Sequence, residues 1–313
     1  MLSSFRERRF RENRFHGRNA WEMGDRNMDK IGVIGLGRMG SAMAEALSGA
    51  GRAVTGWTRS GITPDRAAGL GIAVAEDLNA LAASSDILVL SLFDDAAVDA
   101  VIGQLLLADL NGKLIVDTST VSPIVLQSRA EEIAAAGGRA VDAPISGGPE
   151  MVRARTAGFF MGGADADAAR FRPVAEVIAG RVFHVGPLGA GMAMKTINNA
   201  MLQGYFASLT EMTKLAKRAG LTLERTMDIL AGGPAACDMF KARLPKILGQ
   251  DTEVGFSIAG VRKDADVFLR VARDMGVATP VLEVARDVVD RGIDAGLADA
   301  DVAALITRAY QDG

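Results

Sequence analysis

The sequence predicts an α/β protein in two parts, a doubly wound parallel sheet followed by an all-helical C-terminal domain. Three observations carry this. From about residue 30 to residue 189, short apolar runs alternate with alanine-rich stretches, the rhythm of strands joined by crossover helices. A glycine-rich turn joins the first run to the first helical stretch. After residue 189 the strand pattern stops and helical periodicity remains. At 313 residues, 49% hydrophobic and 23% charged, the chain is long enough for more than one core.

Residues 1–26 hold seven Arg and four acidic residues, a local +3 against −3 for the whole chain. The "FRERRFRENRF" run reads either as a nucleic-acid or membrane-surface arm or as a tail. Acids break the basic run and nothing periodic packs it, so residues 1–27 are expected to be a disordered or over-extended N-terminal segment, dispensable for folding and turnover. No nucleic-acid or membrane partner is expected.

From Lys30 the pattern sharpens. "KIGVIGLGRMGSAM" is an apolar strand, Ile31 to Ile34, a glycine turn, and a helix with Met39, Met43 and Leu47 on one face. Gly35, Gly37 and Gly40 have the G-x-G-x-x-G spacing. The first glycine permits a tight turn, the second close approach of backbone to a pyrophosphate, the third close helix-to-strand packing. A Rossmann-like dinucleotide-binding domain over 28–189 follows, with Leu36, Arg38 and Met39 in the same phosphate-facing turn.

The second strand, Ala53 to Trp57, ends where an acid would bind the ribose hydroxyls of NAD. The sequence instead has Thr58, Arg59 and Ser60, a guanidinium and two hydroxyls suited to a 2′-phosphate. NADP(H) is the preferred cofactor on this reading, with NAD(H) use left open.

Three further strands are expected at 86–93, 113–120 and 139–146. Ligands in such sheets bind beyond the carboxyl ends of the strands, which makes Leu92, Phe93, Ser119, Thr120, Ser146, Gly147 and Gly148 rim candidates. Phe93 packs a cofactor or caps the core; periodicity serves both readings. The hydroxyls and glycines after "VDTST" and "DAPISGG" expose N–H groups able to hold a carboxylate.

Residues 190–313 read as helices with turns near Gly220, Gly232-Gly233 and Gly276 to Pro280. The first helix, to about Ala219, carries Lys195 and Asn199 four residues apart, hence on one face. A lysine near a helix N-terminus is electrostatically misplaced. That placement, like burial, lowers its pKa toward a range useful for acid-base work. One cysteine, Cys237, and two histidines, His16 and His184, leave no disulfide framework and no metal-ligand cluster. No apolar run or signal peptide suits a membrane, and a cytoplasmic enzyme is expected.

Five motifs in order, "GVIGLGRMGSAM", "VDTSTVSP", "DAPISGG", "GAGMAMKTINN" and "GVRKDADVFL", resemble the β-hydroxyacid dehydrogenase family from about Lys30 to Pro280. The resemblance implies an oxidoreductase for small carboxylate-bearing substrates. It gives cofactor contact to Leu92, Phe93 and Thr120, and substrate binding to Ser119 and the Ser146-Gly147-Gly148 turn. Lys195 is implied as the catalytic lysine, with Asn199 on substrate. Lys263, with Asp264 alongside, matches a second lysine near nicotinamide and substrate. The helical domain is implied to build a homodimer or homotetramer.

The chain departs from the family after "SGG". "PEMVRART" puts Val152 where an alanine is common and Arg155 before Thr156, so a reshaped pocket, with Arg155 on a second acidic group or in solvent, is expected. Imine reductases resemble the same chain but generally replace the lysine. A non-catalytic NADP(H)-binding module is the alternative from another class, and both lysines and Asn199 speak against it.

Overall fold

A computed structural model describes residues 28–313; the N-terminal segment 1–27 lies outside the described residues. Strands β1 (Ile31–Ile34), β2 (Val54–Trp57) and β3 (Ala73–Val74) form one half of the sheet. Strands β4 (Ile87–Leu90), β5 (Leu114–Asp117) and β6 (Arg139–Asp142) form the other. The order β3-β2-β1-β4-β5-β6 is parallel throughout. It reverses between β1 and β4, where a doubly wound sheet opens a crevice.

Both faces are covered. Ile31, Val33, Val89 and Val116 pack with α1 (Arg38–Gly49) and α7 (Asp165–Ile178). Ile34, Leu88, Leu90 and Ile115 pack under α3 (Leu78–Ser84), α4 (Asp95–Leu105) and α5 (Pro123–Ala135). Burial on both faces is why these strands read as continuous apolar runs.

Beyond β6 the structure adds to the sequence reading. The segment expected as one strand over 139–146 breaks at Ala143-Pro144, because Pro144 has no N–H for a ladder. It becomes β6 and a two-residue β7 (Ile145–Ser146). Two strands not anticipated, β8 (Gly158–Gly162) and β9 (Arg181–Gly186), extend the sheet, and β8 runs antiparallel to β6 and β7. The sheet is therefore parallel in the main, with an antiparallel margin. "GFFMG" is short and glycine-flanked, and single-sequence periodicity does not separate it from the neighbouring turn.

From residue 190 the described chain is helical. The 29-residue α8 (Ala190–Arg218) is flanked by α11 (Ile258–Asp274), α12 (Pro280–Asp294) and α13 (Ala303–Asp312). Short helices α9 (Leu223–Gly232) and α10 (Asp238–Ile247) close the other side. Thr222 and Ser257 cap α9 and α11 through their hydroxyls.

Candidate functional site

Two glycines shape the phosphate-facing turn. Gly35 sits at φ +93, with the Ser91 carbonyl 2.3 Å from where a Cβ would be. At Gly40 a Cβ would fall 1.9 Å from the Gly35 carbonyl, so only glycine lets α1 dock this closely on β1. Gly37 N-caps α1 without a side-chain cap, leaving free N–H groups facing a groove lined by Leu36, Arg38, Ser41, Thr58, Ser60 and Arg66. That construction fits a dinucleotide's phosphates.

The structure redistributes the candidates here. Leu36 offers only backbone, since its side chain is buried in the core. Arg38 donates to the Val254 and Gly255 carbonyls, tying the glycine turn to the helical half. Thr58 and Ser60 line the groove, but Arg59 points to solvent and does not line it. Arg66, on α2 (Pro64–Leu70), lines the groove as well: it donates to the Leu36 carbonyl at 2.5 Å and to Ser41 Oγ at 3.1 Å. Nothing in the spacing marks Arg66; loop geometry brings it in.

A second cleft begins at the carboxyl ends of the strands. Met39, Leu92, Phe93, Ser119 and Thr120 line one wall, and Ser146, Gly147 and Gly148 another. Lys195, Asn199 and Lys263 come from α8 and α11. The sequence-singled residues of the two halves thus meet in one place. Ser119 is held: its Oγ accepts from the Leu92 N–H at 2.9 Å and its N–H donates to Asp117. Lys263 Nζ donates to the Thr120 carbonyl at 2.6 Å, contacts the Asp264 carboxylate at 3.2 Å, and lies 5.6 Å from the centre of the exposed Phe93 ring. Phe93 therefore caps no core.

Lys195 is 6% exposed and donates to the Ile145 carbonyl at 2.6 Å. Burial holds its pKa below the ordinary lysine value; the Asp264 carboxylate opposes that shift and the Lys263 ammonium adds to it. Asp264 is itself pushed up by burial, against the two lysines. Asn199 Oδ1 accepts from Asn198 Nδ2 at 2.9 Å, which orients the Asn199 amide on the Lys195 face.

Asp142, at the end of β6, acts on α8 from below. Its carboxylate accepts from the N–H groups of Gly189 and Met192, both at 2.7 Å, at a helix start with no cap of its own. Burial pushes Asp142 up to about 6, partly offset by those hydrogen bonds. The segment 142–145 thus grips α8 at its first turn and again at Lys195.

Of the expectations about the departures, the one for Val152 fails, while Arg155 takes the exposed alternative. Val152 is fully buried in the sheet core rather than in the cleft. Arg155 turns away: it adopts φ 55 and donates to the Glu176 carbonyl at 2.7 Å. The residues of this segment that reach the turn are Met151, whose Sδ lies 3.0 Å from where a Gly147 Cβ would be, and Glu150, whose carboxylate lies over Gly148.

Comparison with known proteins agrees with this geometry. A family model described as the NAD binding domain of 6-phosphogluconate dehydrogenase matches residues 30–186. Another, described as the NAD-binding domain of NADP-dependent 3-hydroxyisobutyrate dehydrogenase, matches 189–309. The chain is 33% identical to 2-(hydroxymethyl)glutarate dehydrogenase of Eubacterium barkeri, over 88% of this chain and 93% of the relative. It is 29% identical to 2-hydroxy-3-oxopropionate reductase of Escherichia coli, over 88% and 96%. The solved structure of Mycobacterium tuberculosis 3-hydroxyisobutyrate dehydrogenase with L-serine superposes with a TM-score of 0.82 at 30% identity, covering 90% of this chain and 99% of that one. With a nucleotide groove at the sheet switch point and a buried lysine in the adjoining cleft, the chain belongs to the β-hydroxyacid dehydrogenase family of NAD(P)-dependent CH–OH oxidoreductases.

Proposed function

We propose that the protein interconverts a β-hydroxy carboxylate and its semialdehyde with NADP(H), using Lys195 as general acid and base. The observation that carries this is a lysine buried beside Asn199, its pKa lowered by burial, facing the strand rim. When bound, the nicotinamide supplies hydride transfer with the carbon that bears the hydroxyl. In oxidation, neutral Lys195 Nζ takes the hydroxyl proton as the C–H bond gives up its hydride; in reduction, the Lys195 ammonium returns a proton to the carbonyl oxygen. The Asn199 amide holds that same oxygen. The turn Ser146 to Gly148, Ser119 and Lys263 hold the carboxylate, so the reacting carbon lies against Lys195.

Arginines around the adenosine-side groove, Arg38, Arg66 and Arg153, support a preference for the additional phosphate of NADP(H). The relatives' named substrates support the carboxylate. Exposed apolar residues on α8, Ile197, Met201, Met212 and Leu215, support a homodimer or homotetramer. Among the described residues no helix is long and apolar enough to cross a membrane.

The test is an NADPH-oxidation screen over small semialdehydes and glyoxylate, with cyclic imines alongside, on the parent, Lys195→Ala and Lys195→Arg. Turnover of a semialdehyde by the parent, a fall of roughly 10² to 10⁴ in Lys195→Ala, and little rescue by the non-titrating guanidinium are expected. Near-normal turnover in Lys195→Ala would place the proton transfer elsewhere.

A further inference from the structure

The cleft at Lys195 does not end there. The pocket that holds it, about 610 Å³ in all, runs on into the helical half, and the whole is the size of pockets that take drug-sized ligands. Its wall is the same face of α8 that carries the chemistry. After Lys195 and Asn199 come Leu202, Gln203, Phe206, Ala207 and Thr210, at the three- and four-residue spacing that keeps side chains on one side of a helix. Opposite stand Ala285, Val288 and Val289 of α12 and Leu305 of α13.

Several of these are buried yet border open space. Ala207, Ala285, Val288 and Leu305 are each less than a tenth exposed, and Ala207, Ala285 and Val288 form a small cluster separate from the larger cores. Interiors are normally packed with few voids larger than a water, and an apolar void left in a bundle is destabilising. Ala207, Ala285 and Val288 pack on one another and also line the pocket, and their small side chains leave space beside them that larger ones would take. Gln203 is its polar interruption. Nε2 donates to the Val261 carbonyl at 3.3 Å, while the buried Oε1 has no partner among the described residues. It lies two turns, about 12 Å, along α8 from Lys195.

We infer that the substrate carries an extended, mainly apolar substituent on the carbon next to its carboxylate, and that this tail enters the channel between α8 and α12. The inference rests on the proposed dehydrogenase reading: with the hydroxymethyl group at Lys195 and Asn199 and the carboxylate at the Ser146 to Gly148 turn, the third substituent faces down the α8 wall. A hydroxyl or amide N–H partway along the tail satisfies Gln203 Oε1. The reaction is unchanged by the tail: the alcohol loses a hydride to NADP⁺ and its proton to Lys195, giving the aldehyde and NADPH.

The experiment compares 3-hydroxypropanoates bearing methyl, butyl, hexyl and octyl groups at carbon 2. kcat/KM is expected to climb with length by up to roughly fourfold per methylene, the worth of burying one CH₂. Ala285→Leu narrows the channel and should erase most of the octyl advantage over methyl; Val288→Phe is the second plug if Ala285→Leu melts early. Calorimetry of butyrate against decanoate, with NADPH present, gives a readout independent of turnover. Tighter binding of decanoate, lost in the plugged variant, supports the channel even if no hydroxy acid is oxidised, in which case it is the dehydrogenase reading that fails. Flat or falling kcat/KM with length, together with no decanoate preference, overturns the inference. So does a length dependence that either plug leaves intact.

Discussion

Replacing Asp142 tests how α8, and with it Lys195, is held. In the folded protein the Asp142 carboxylate takes one hydrogen bond from Gly189 and one from Met192, two of the donors a helix N-terminus leaves free. Asp142→Ala strands both N–H groups in a buried site. At about 1 to 3 kcal/mol for each unpaired group, a loss of about 2 to 6 kcal/mol is expected, read as a lower midpoint in thermal or urea unfolding. Turnover should fall more than NADPH affinity, because the glycine turn lies on other elements while Lys195 lies on the loosened helix.

The isosteric Asp142→Asn separates shape from charge. Burial raises the Asp142 pKa from 3.8 to about 6, so the folded protein binds this proton more tightly than the unfolded chain. Stability from this group is therefore full below about pH 4 and is lost as pH rises through about 6, by up to about 3 kcal/mol. Asp142→Asn, which does not titrate, should lack that slope and differ least from, or exceed, the parent above pH 6. Asp117 on β5, pushed up to about 7 by burial, adds a slope of the same sign at slightly higher pH in both proteins. Chemical unfolding at intervals from pH 4 to pH 8 reads both effects. An Asp142→Ala protein as stable as the parent, or an Asp142→Asn protein with the parent's slope over pH 4 to 6, would refute the reasoning.

Two shorter predictions concern cofactor and assembly. Arg66→Ala should weaken NADPH more than NADH by about 1.5 to 3 kcal/mol, the worth of a charge-assisted hydrogen bond, and Arg59→Ala should discriminate less; the reverse order in a KM comparison would return the phosphate to Arg59. Met201→Lys, a charge at a position 73% exposed on the α8 apolar stripe, should shift a dimeric or tetrameric parent toward monomer in sedimentation, and a monomeric parent would remove that role from the stripe.

What was legible in the sequence follows from the range over which the physics acts. The strand, glycine turn and helix around Gly35 to Gly40 are local, fixed by a turn and a close approach within six residues, and they appear as read. Lys195 and Asn199 share a helix face by periodicity alone, and α8 supplies it. Arg66 was not legible, because its place at the groove depends on how the loop 58–63 returns α2 toward Leu36. Asp142 stood inside a motif, yet its contact with Gly189 spans 47 residues and needed the fold. For Arg155 the sequence left substrate recognition and solvent both open, and only the fold decides: its left-handed backbone and its bond to Glu176 belong to the exposed turn that leads into β8.

Gln203 marks the boundary between the two kinds of information. Its position is implied by the same spacing that joins Lys195 to Asn199, four residues further along one face, so the helix pattern alone carries it into the site. Its meaning is not implied, since periodicity cannot tell whether a face continues against a packed neighbour or against open space. Here that depends on α12, whose Ala285 packs with Ala207 and lines the same pocket. On the proposed reading, substrate size depends on two alanines more than 70 residues apart in the sequence, which only the fold brings together.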